Sequence, residues 1–159
     1  MKTYLLLALL FSTASQANTA KMFVYLTPGG SLEAVSEKIK GNLIRRNGNF
    51  SADKLWITIE SFKTGIDLRD EHLWKHLNYT KFPNAILTNV VGKAGKATGT
   101  LEINGIKQPV NMTYVETSSD ITTTFKVKPS EFGLPKASYL GVGVSDEVKI
   151  EATYPFVSK

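Results

Sequence analysis

Apolar and polar residues alternate with a period of two over most of the second half of the chain, and polar or glycine-containing segments interrupt the alternation. Ala97, Gly99, Leu101 and Ile103 alternate with Lys96, Thr98, Thr100 and Glu102. Ile121, Thr123, Phe125 and Val127 alternate with Thr122, Thr124 and Lys126, and Val148, Ile150, Ala152 and Tyr154 alternate with Lys149, Glu151 and Thr153. This period places one set of side chains on each face of a strand. The interruptions, among them Pro28-Gly29-Gly30, Asn47-Gly48, Lys93-Ala94-Gly95 and Ser118-Ser119-Asp120, carry turn chemistry. The pattern predicts an all-β fold of antiparallel strands. A sheet with one apolar face must hide it, either by packing a second sheet on it or by closing into a barrel, and the barrel, which leaves no edges, is the preferred reading.

Asn104-Gly105 is the most specific local signal, because a two-residue type I′ hairpin needs positive φ at both positions and this dipeptide accepts it at little cost. Counting outward from the turn, Ile103 faces Ile106, Leu101 faces Gln108, Gly99 faces Val110 and Ala97 faces Met112, with Tyr114 continuing the same surface. The other face pairs Glu102 with Lys107, an attractive cross-strand pair, then Thr100 with Pro109, Thr98 with Asn111 and Lys96 with Thr113.

Leu55 to Lys63 reads as a further strand, with Leu55, Ile57 and Ile59 on one face and Trp56 and Phe62 on the other. The predicted cover for that second face is a single helix, Asp67 to Asn78, whose Leu73, Trp74 and Leu77 form an apolar stripe at helical spacing. Asp67 is the expected N-cap, and Asp70 and Glu71 suit the helix dipole in the first turns. Pro83-Asn84 restarts the chain as a strand.

The first residues have a different character. Lys2 precedes an apolar run from Tyr4 to Phe11, followed by small and polar residues with Ser15 and Ala17 at the positions a signal peptidase reads. The run is shorter than the roughly 20 residues that span a bilayer. We therefore expect a cleaved signal over 1-17, one globular domain over 18-159, and a periplasmic location with no integral membrane segment.

Composition then removes whole classes of chemistry. With Cys 0 there is no catalytic thiol and no thiolate metal site. A formal net charge of +5 is too modest for a dedicated nucleic-acid binder, so no nucleic-acid partner is expected. There is no Gly-x-Ser-x-Gly elbow, and Gly92-Lys93-Ala94-Gly95-Lys96 lacks the spacing of a phosphate loop. No catalytic residues, cofactor or enzymatic activity are expected. His72 and His76 stand four apart on the helix, the spacing that lets two imidazoles share a metal. No catalytic base lies between them, and two surface histidines are the favoured reading. Basic residues gather at Arg45 and Arg46, at Lys93 and Lys96, and at Lys126 and Lys128, mostly as wet-face members of strands.

The predicted interior mixes small Ala97, Gly99 and Ala152 with bulky neighbours. Small inward residues either leave room for an apolar ligand or let neighbours interdigitate, as cores do routinely. Gln108 and Thr123 add polar groups that a pocket could use.

Thr64-Gly65-Ile66-Asp67-Leu68-Arg69-Asp70-Glu71-His72-Leu73, then Phe82-Pro83-Asn84-Ala85, then Phe132-Gly133-Leu134 and Val144-Ser145-Asp146-Glu147-Val148-Lys149-Ile150 occur in an order that resembles the YceI-like family. The resemblance spans about residues 21 to 156. It implies an extended lipocalin-like antiparallel β-barrel, usually exported, whose interior binds a polyisoprenoid or similar lipid. Mapped onto the inward positions, the implied ligand contacts are Gly99, Leu101, Ile103, Gln108, Val110, Met112, Tyr114, Phe125, Val127, Ile150 and Tyr154. Two other readings stand beside the lipid carrier. One is a filled barrel serving as a structural or protein-interaction module of the cell envelope, and the other is a metal site at His72 and His76. An exposed edge strand would also allow a homodimer.

Overall fold

In a computed structural model, residues 18–139 and 141–159 are described, so the expected signal segment lies outside the described residues. The strands are β1 (Thr19–Thr27), β2 (Ser31–Ser36), β3 (Lys40–Gly41), β4 (Ile44–Arg46), β5 (Asn49–Thr58), β6 (Asn84–Lys93) and β7 (Lys96–Ile103). They continue with β8 (Ile106–Glu116), β9 (Asp120–Val127), β10 (Ser138–Tyr139), β11 (Val142–Pro155) and β12 (Val157–Ser158). One helix, α1 (Asp67–His76), and two 3-10 turns, Ile59–Ser61 and Pro129–Phe132, complete the described elements.

The strands form one curled sheet in the order β12-β4-β5-β6-β7-β8-β9-β11-β1-β2. All of its pairings are antiparallel except the short β12–β4 contact. This is the antiparallel all-β architecture that the alternation predicts, in the extended lipocalin-like form that the resemblance implies. The chain itself ties the curl together: β11 runs through Phe156 into β12, which pairs with β4 at the far end of the sheet. Val35 and Lys63 exchange both backbone bonds, at 2.8 and 2.9 Å, where β2 meets the segment after β5. The Asn18 amide bonds both backbone groups of Ile39 at 3.0 and 3.1 Å. Groups that would form exposed sheet edges are thereby engaged.

The register around Asn104-Gly105 is the predicted one, from Ile103↔Ile106 through Leu101↔Gln108 and Gly99↔Val110 to Lys96↔Thr113. Asn104 and Gly105 both have positive φ, 53 and 72°, as the I′ turn demands.

Four expectations near β5 and α1 need correction. The strand read as Leu55 to Lys63 is Asn49–Thr58, and the chain then turns through Ile59–Ser61, which swings Phe62 into the interior. Ala52 and Ile57 are both buried while Asp53 and Lys54 are both exposed, so the alternation slips inside β5, beside Asn89 of β6 at φ 54°. At the same level the register of β6 against β7 shifts between Thr88 and Val91, and an irregularity of this kind breaks the period of two that a sequence pattern relies on. The helix ends at His76, not Asn78. Asn78 takes the left-handed position at φ 56°, with Tyr79 N–H bonding the Trp74 carbonyl at 3.1 Å and Asn78 N–H bonding Lys75 at 3.0 Å. Ile66, not Asp67, is the N-cap residue, and no side chain caps there. Finally, Leu73 packs with Ile57 and Phe62 on the inner side, whereas Trp56 carries the Lys54 ammonium 5.3 Å from its ring centre.

Candidate functional site

Paired residues share a face of a sheet, so the interior can be read as rows across the strands. One row joins Ala34, Met22, Ile150 and Phe125. Another joins Leu32, Val24, Val148 and Val127, and a third joins Gln108, Leu101, Leu87 and Leu55. Leu101, Val110, Met112, Tyr114 and Val127 are buried in the main cluster. Ile103, Phe125, Ile150 and Tyr154 are partly buried and pack against it. Nine of the eleven positions nominated from the sequence thus belong to one apolar surface. The other two behave differently. Gln108 gives its amide to the Glu131 carbonyl at 2.9 Å. Gly99 faces no void: a Cβ there would lie 3.1 Å from Leu87 Cδ1, 3.3 Å from the Thr88 carbonyl and 3.5 Å from Met112 Cε. Gly92 plays the same part for Tyr114, whose ring a Cβ would meet at 3.1 Å. The small inward residues therefore serve interdigitation at these two points.

Both ends of the curl carry packed elements. At one end, Phe50 meets Tyr114 and Phe156 edge-on, with ring centres 5.3 and 5.1 Å apart. Toward the Asn104-Gly105 hairpin, Phe132 and Leu134 are buried in the main cluster, and Leu77 of the segment after α1 packs on it. Asn104 joins these pieces: its Nδ2 donates to the Phe132 carbonyl, and its Oδ1 accepts from Asn78 Nδ2, both at 3.0 Å.

A family model for the YceI-like domain matches residues 12–156. The chain belongs to the YceI-like family. The YceI-like fold aligns with that of BcnA from Burkholderia cenocepacia at a TM-score of 0.63, with 18% identity over 84% of this chain and 94% of that one. It also aligns with a polyisoprenoid-binding domain from Saccharophagus degradans implicated in plant cell wall breakdown, at a TM-score of 0.60, with 16% identity over 87% of this chain and 92% of that one. The YceI protein of Campylobacter jejuni aligns at 0.56, with 18% identity over 74% and 80% of the two chains. No curated protein sequence matches.

Within this YceI-like chain, the Thr64–Leu73 motif has a structural role that the sequence did not disclose. Asp70 is 2% exposed and accepts from both the Thr64 N–H and the Thr64 hydroxyl at 2.7 Å. Lys63 Nζ lies 3.5 Å from Asp70 Oδ2 and 4.3 Å from the centre of the Trp74 ring, while Trp74 Nε1 donates to the Phe62 carbonyl at 2.9 Å. Burial alone would raise the Asp70 carboxyl. The Thr64 bonds and the Lys63 ammonium outweigh it and hold the carboxyl below its ordinary 3.8. Because Lys63 also bridges Val35, this cluster fastens α1 to the seam of the curl.

The titratable and basic groups nominated from the sequence are dispersed. No group of three or more metal-ligating side chains occurs among the described residues. His76 is pushed below 6.5 by burial and lines a cavity of about 480 Å³ with Thr27, Leu134, Lys136 and Asp146. Arg45 pairs with Glu116 at 2.6 Å, Lys126 with Glu147 at 2.8 Å and Lys128 with Glu131 at 3.8 Å. Lys93 and Lys96 face each other across β6 and β7. No described helix is long and apolar enough to cross a membrane.

Proposed function

We propose that this protein is an exported carrier that holds a polyisoprenoid, or an amphipathic lipid of similar shape, inside the curled sheet. The carrying observation is the inward row of Met22, Ile150 and Phe125 together with Leu55 and Leu87: these side chains face the interior, pack on the main cluster and are still only partly buried. An apolar chain laid along them would remove that residual area from water, at roughly 25 cal/mol per Å² before ordering costs. Membership of the YceI-like family and the likeness to a polyisoprenoid-binding domain support the same ligand class. The apolar run from Tyr4 to Phe11 supports export to a periplasm. Binding needs no bond to be made or broken.

A second reading, a filled barrel acting as an envelope module, draws on the aromatic packing of Phe50 with Tyr114 and Phe156. Native mass spectrometry and organic extraction of protein purified from its own source separate the two. The carrier reading expects a non-covalent mass that solvent extraction removes. Repeated preparations without such a mass, and without uptake of added farnesol, favour the filled barrel.

A further inference from the structure

β8 and β9 are hydrogen-bonded neighbours only from Thr113↔Thr124 to Glu116↔Ile121. Beyond Thr113, residues 107–112 of β8 and Phe125–Val127 of β9 have no ladder between them, although β8 stays paired with β7 as far as Ile103↔Ile106, and β9 stays paired with β11 to Val127↔Val148. Pro109 sits in this stretch, opposite Thr100 of β7. It brings no N–H, and a proline inside a strand is tolerated where no neighbour needs that donor. The parting holds a surface groove of about 350 Å³, with Asn111 and Lys126 at its outer lips and the buried Val110, Val127 and Phe132 closing its floor. Those three floor residues belong to the interior cluster. Gln108 latches the lower end through its bond to the Glu131 carbonyl at 2.9 Å.

We propose that this parting is the side door through which an apolar chain enters and leaves the lumen. The proposal rests on the lipid-carrier reading and adds the route. Both ends of the lumen are crossed by packed elements, the Phe50–Tyr114–Phe156 group at one and the Phe132 cap at the other. Entry at the Phe50 end, or past the buried Phe132 and Leu134 beside the cavity of about 480 Å³ at the other, requires an element to unpack. Entry between most other strands requires a ladder of backbone bonds to break. Between β8 and β9 the ladder is already absent, so opening the floor takes rotation of the Val110, Val127 and Phe132 side chains and breaks no backbone pairing. A thin flexible chain fits such a slit, whereas a compact polar solute has no apolar wall to gain from it.

The chain has no cysteine, so a pair introduced at Asn111→Cys and Lys126→Cys can be bridged selectively with a short bis-maleimide. Radiolabelled farnesol is the probe, and the same double variant capped with a mono-maleimide is the control. A bridge at Val115→Cys and Thr122→Cys, which spans the paired part of the same two strands, is a second control. Bridging the lips is expected to slow farnesol uptake at least tenfold. Bridging after loading is expected to slow release by a similar factor, with equilibrium affinity unchanged. Uptake and release within twofold of the capped control overturn the side door and leave the carrier reading standing. A capped control that binds no farnesol overturns both.

Discussion

Asn104 donates from Nδ2 to the Phe132 carbonyl oxygen at 3.0 Å. The same side chain accepts from Asn78 at 3.0 Å, so a hairpin tip, the end of α1 and the turn that carries Phe132 meet on one amide. Both bonds depend on a residue at φ 53°, a conformation that few side chains other than Asn accept readily. Asn104→Gly keeps the turn and removes the two bonds. We expect a loss of about 1 to 3 kcal/mol in urea unfolding, with amide exchange rising selectively over residues 129–134. A uniform rise across the sheet would show that these two bonds do not hold the Phe132 turn in particular.

Asp70 gives folding stability an acid limb. Its carboxyl is held below the ordinary 3.8 in the folded state, so the unfolded chain binds a proton first as pH falls. The contribution is complete above that ordinary value and is lost as pH drops through the lower folded one. Asp70→Asn should flatten this limb. At neutral pH the variant should be less stable by about 1 to 3 kcal/mol, because the charge-assisted bonds to Thr64 are weakened. Chemical unfolding at a series of pH values from neutral to strongly acidic measures both effects.

The pattern from Lys96 to Tyr114 was legible to the residue. A strong I′ turn pins one end, and a one-residue slip would turn every apolar side chain outward. The region from Leu55 to Leu77 was less legible because its determinants are not periodic. The alternation slips between Ala52 and Ile57 where β6 shifts register against β7, the Ile59–Ser61 turn redirects Phe62, and Asp70 works through Thr64 and Lys63 on another segment. Asp67 has the right chemistry for a cap and sits one residue too late to serve as one. Nine of the eleven nominated positions lie on one apolar surface, while the parting of β8 and β9 depends on where a ladder stops. Pro109 was its visible trace in the sequence.

Gly99 tests whether the small inward residues mark a void. A Cβ would press on Leu87 at 3.1 Å and on the Thr88 carbonyl at 3.3 Å. Leu87 can shift and the backbone carbonyl cannot, so Gly99→Leu overpacks the wall. The expected cost is about 1 to 3 kcal/mol, read from the midpoint of thermal unfolding and from denaturant titration. An unchanged or raised midpoint would reveal free volume at this point and return Gly99 to the ligand surface.

Tyr154 and Gly41 close the curl at a distance of 113 positions along the chain. The Tyr154 hydroxyl donates to the Gly41 carbonyl at 2.5 Å, and Gly41 holds φ +119° with its α-carbon against β5, where a Cβ would lie 2.4 Å from the Lys54 carbonyl. Tyr154→Phe removes only the bond and should cost about 1 kcal/mol. Gly41→Ala strains the backbone as well and should cost more, about 1 to 3 kcal/mol. Burial raises the Tyr154 phenol above its ordinary 10.0. The unfolded chain therefore ionises first, and this contribution, whole below pH 10, declines as pH rises toward the folded value. Tyr154→Phe should reduce that alkaline decline in urea unfolding. If the variant and the parent lose stability in parallel above that pH, the decline comes from other groups and the phenol is not the seam's titrating element.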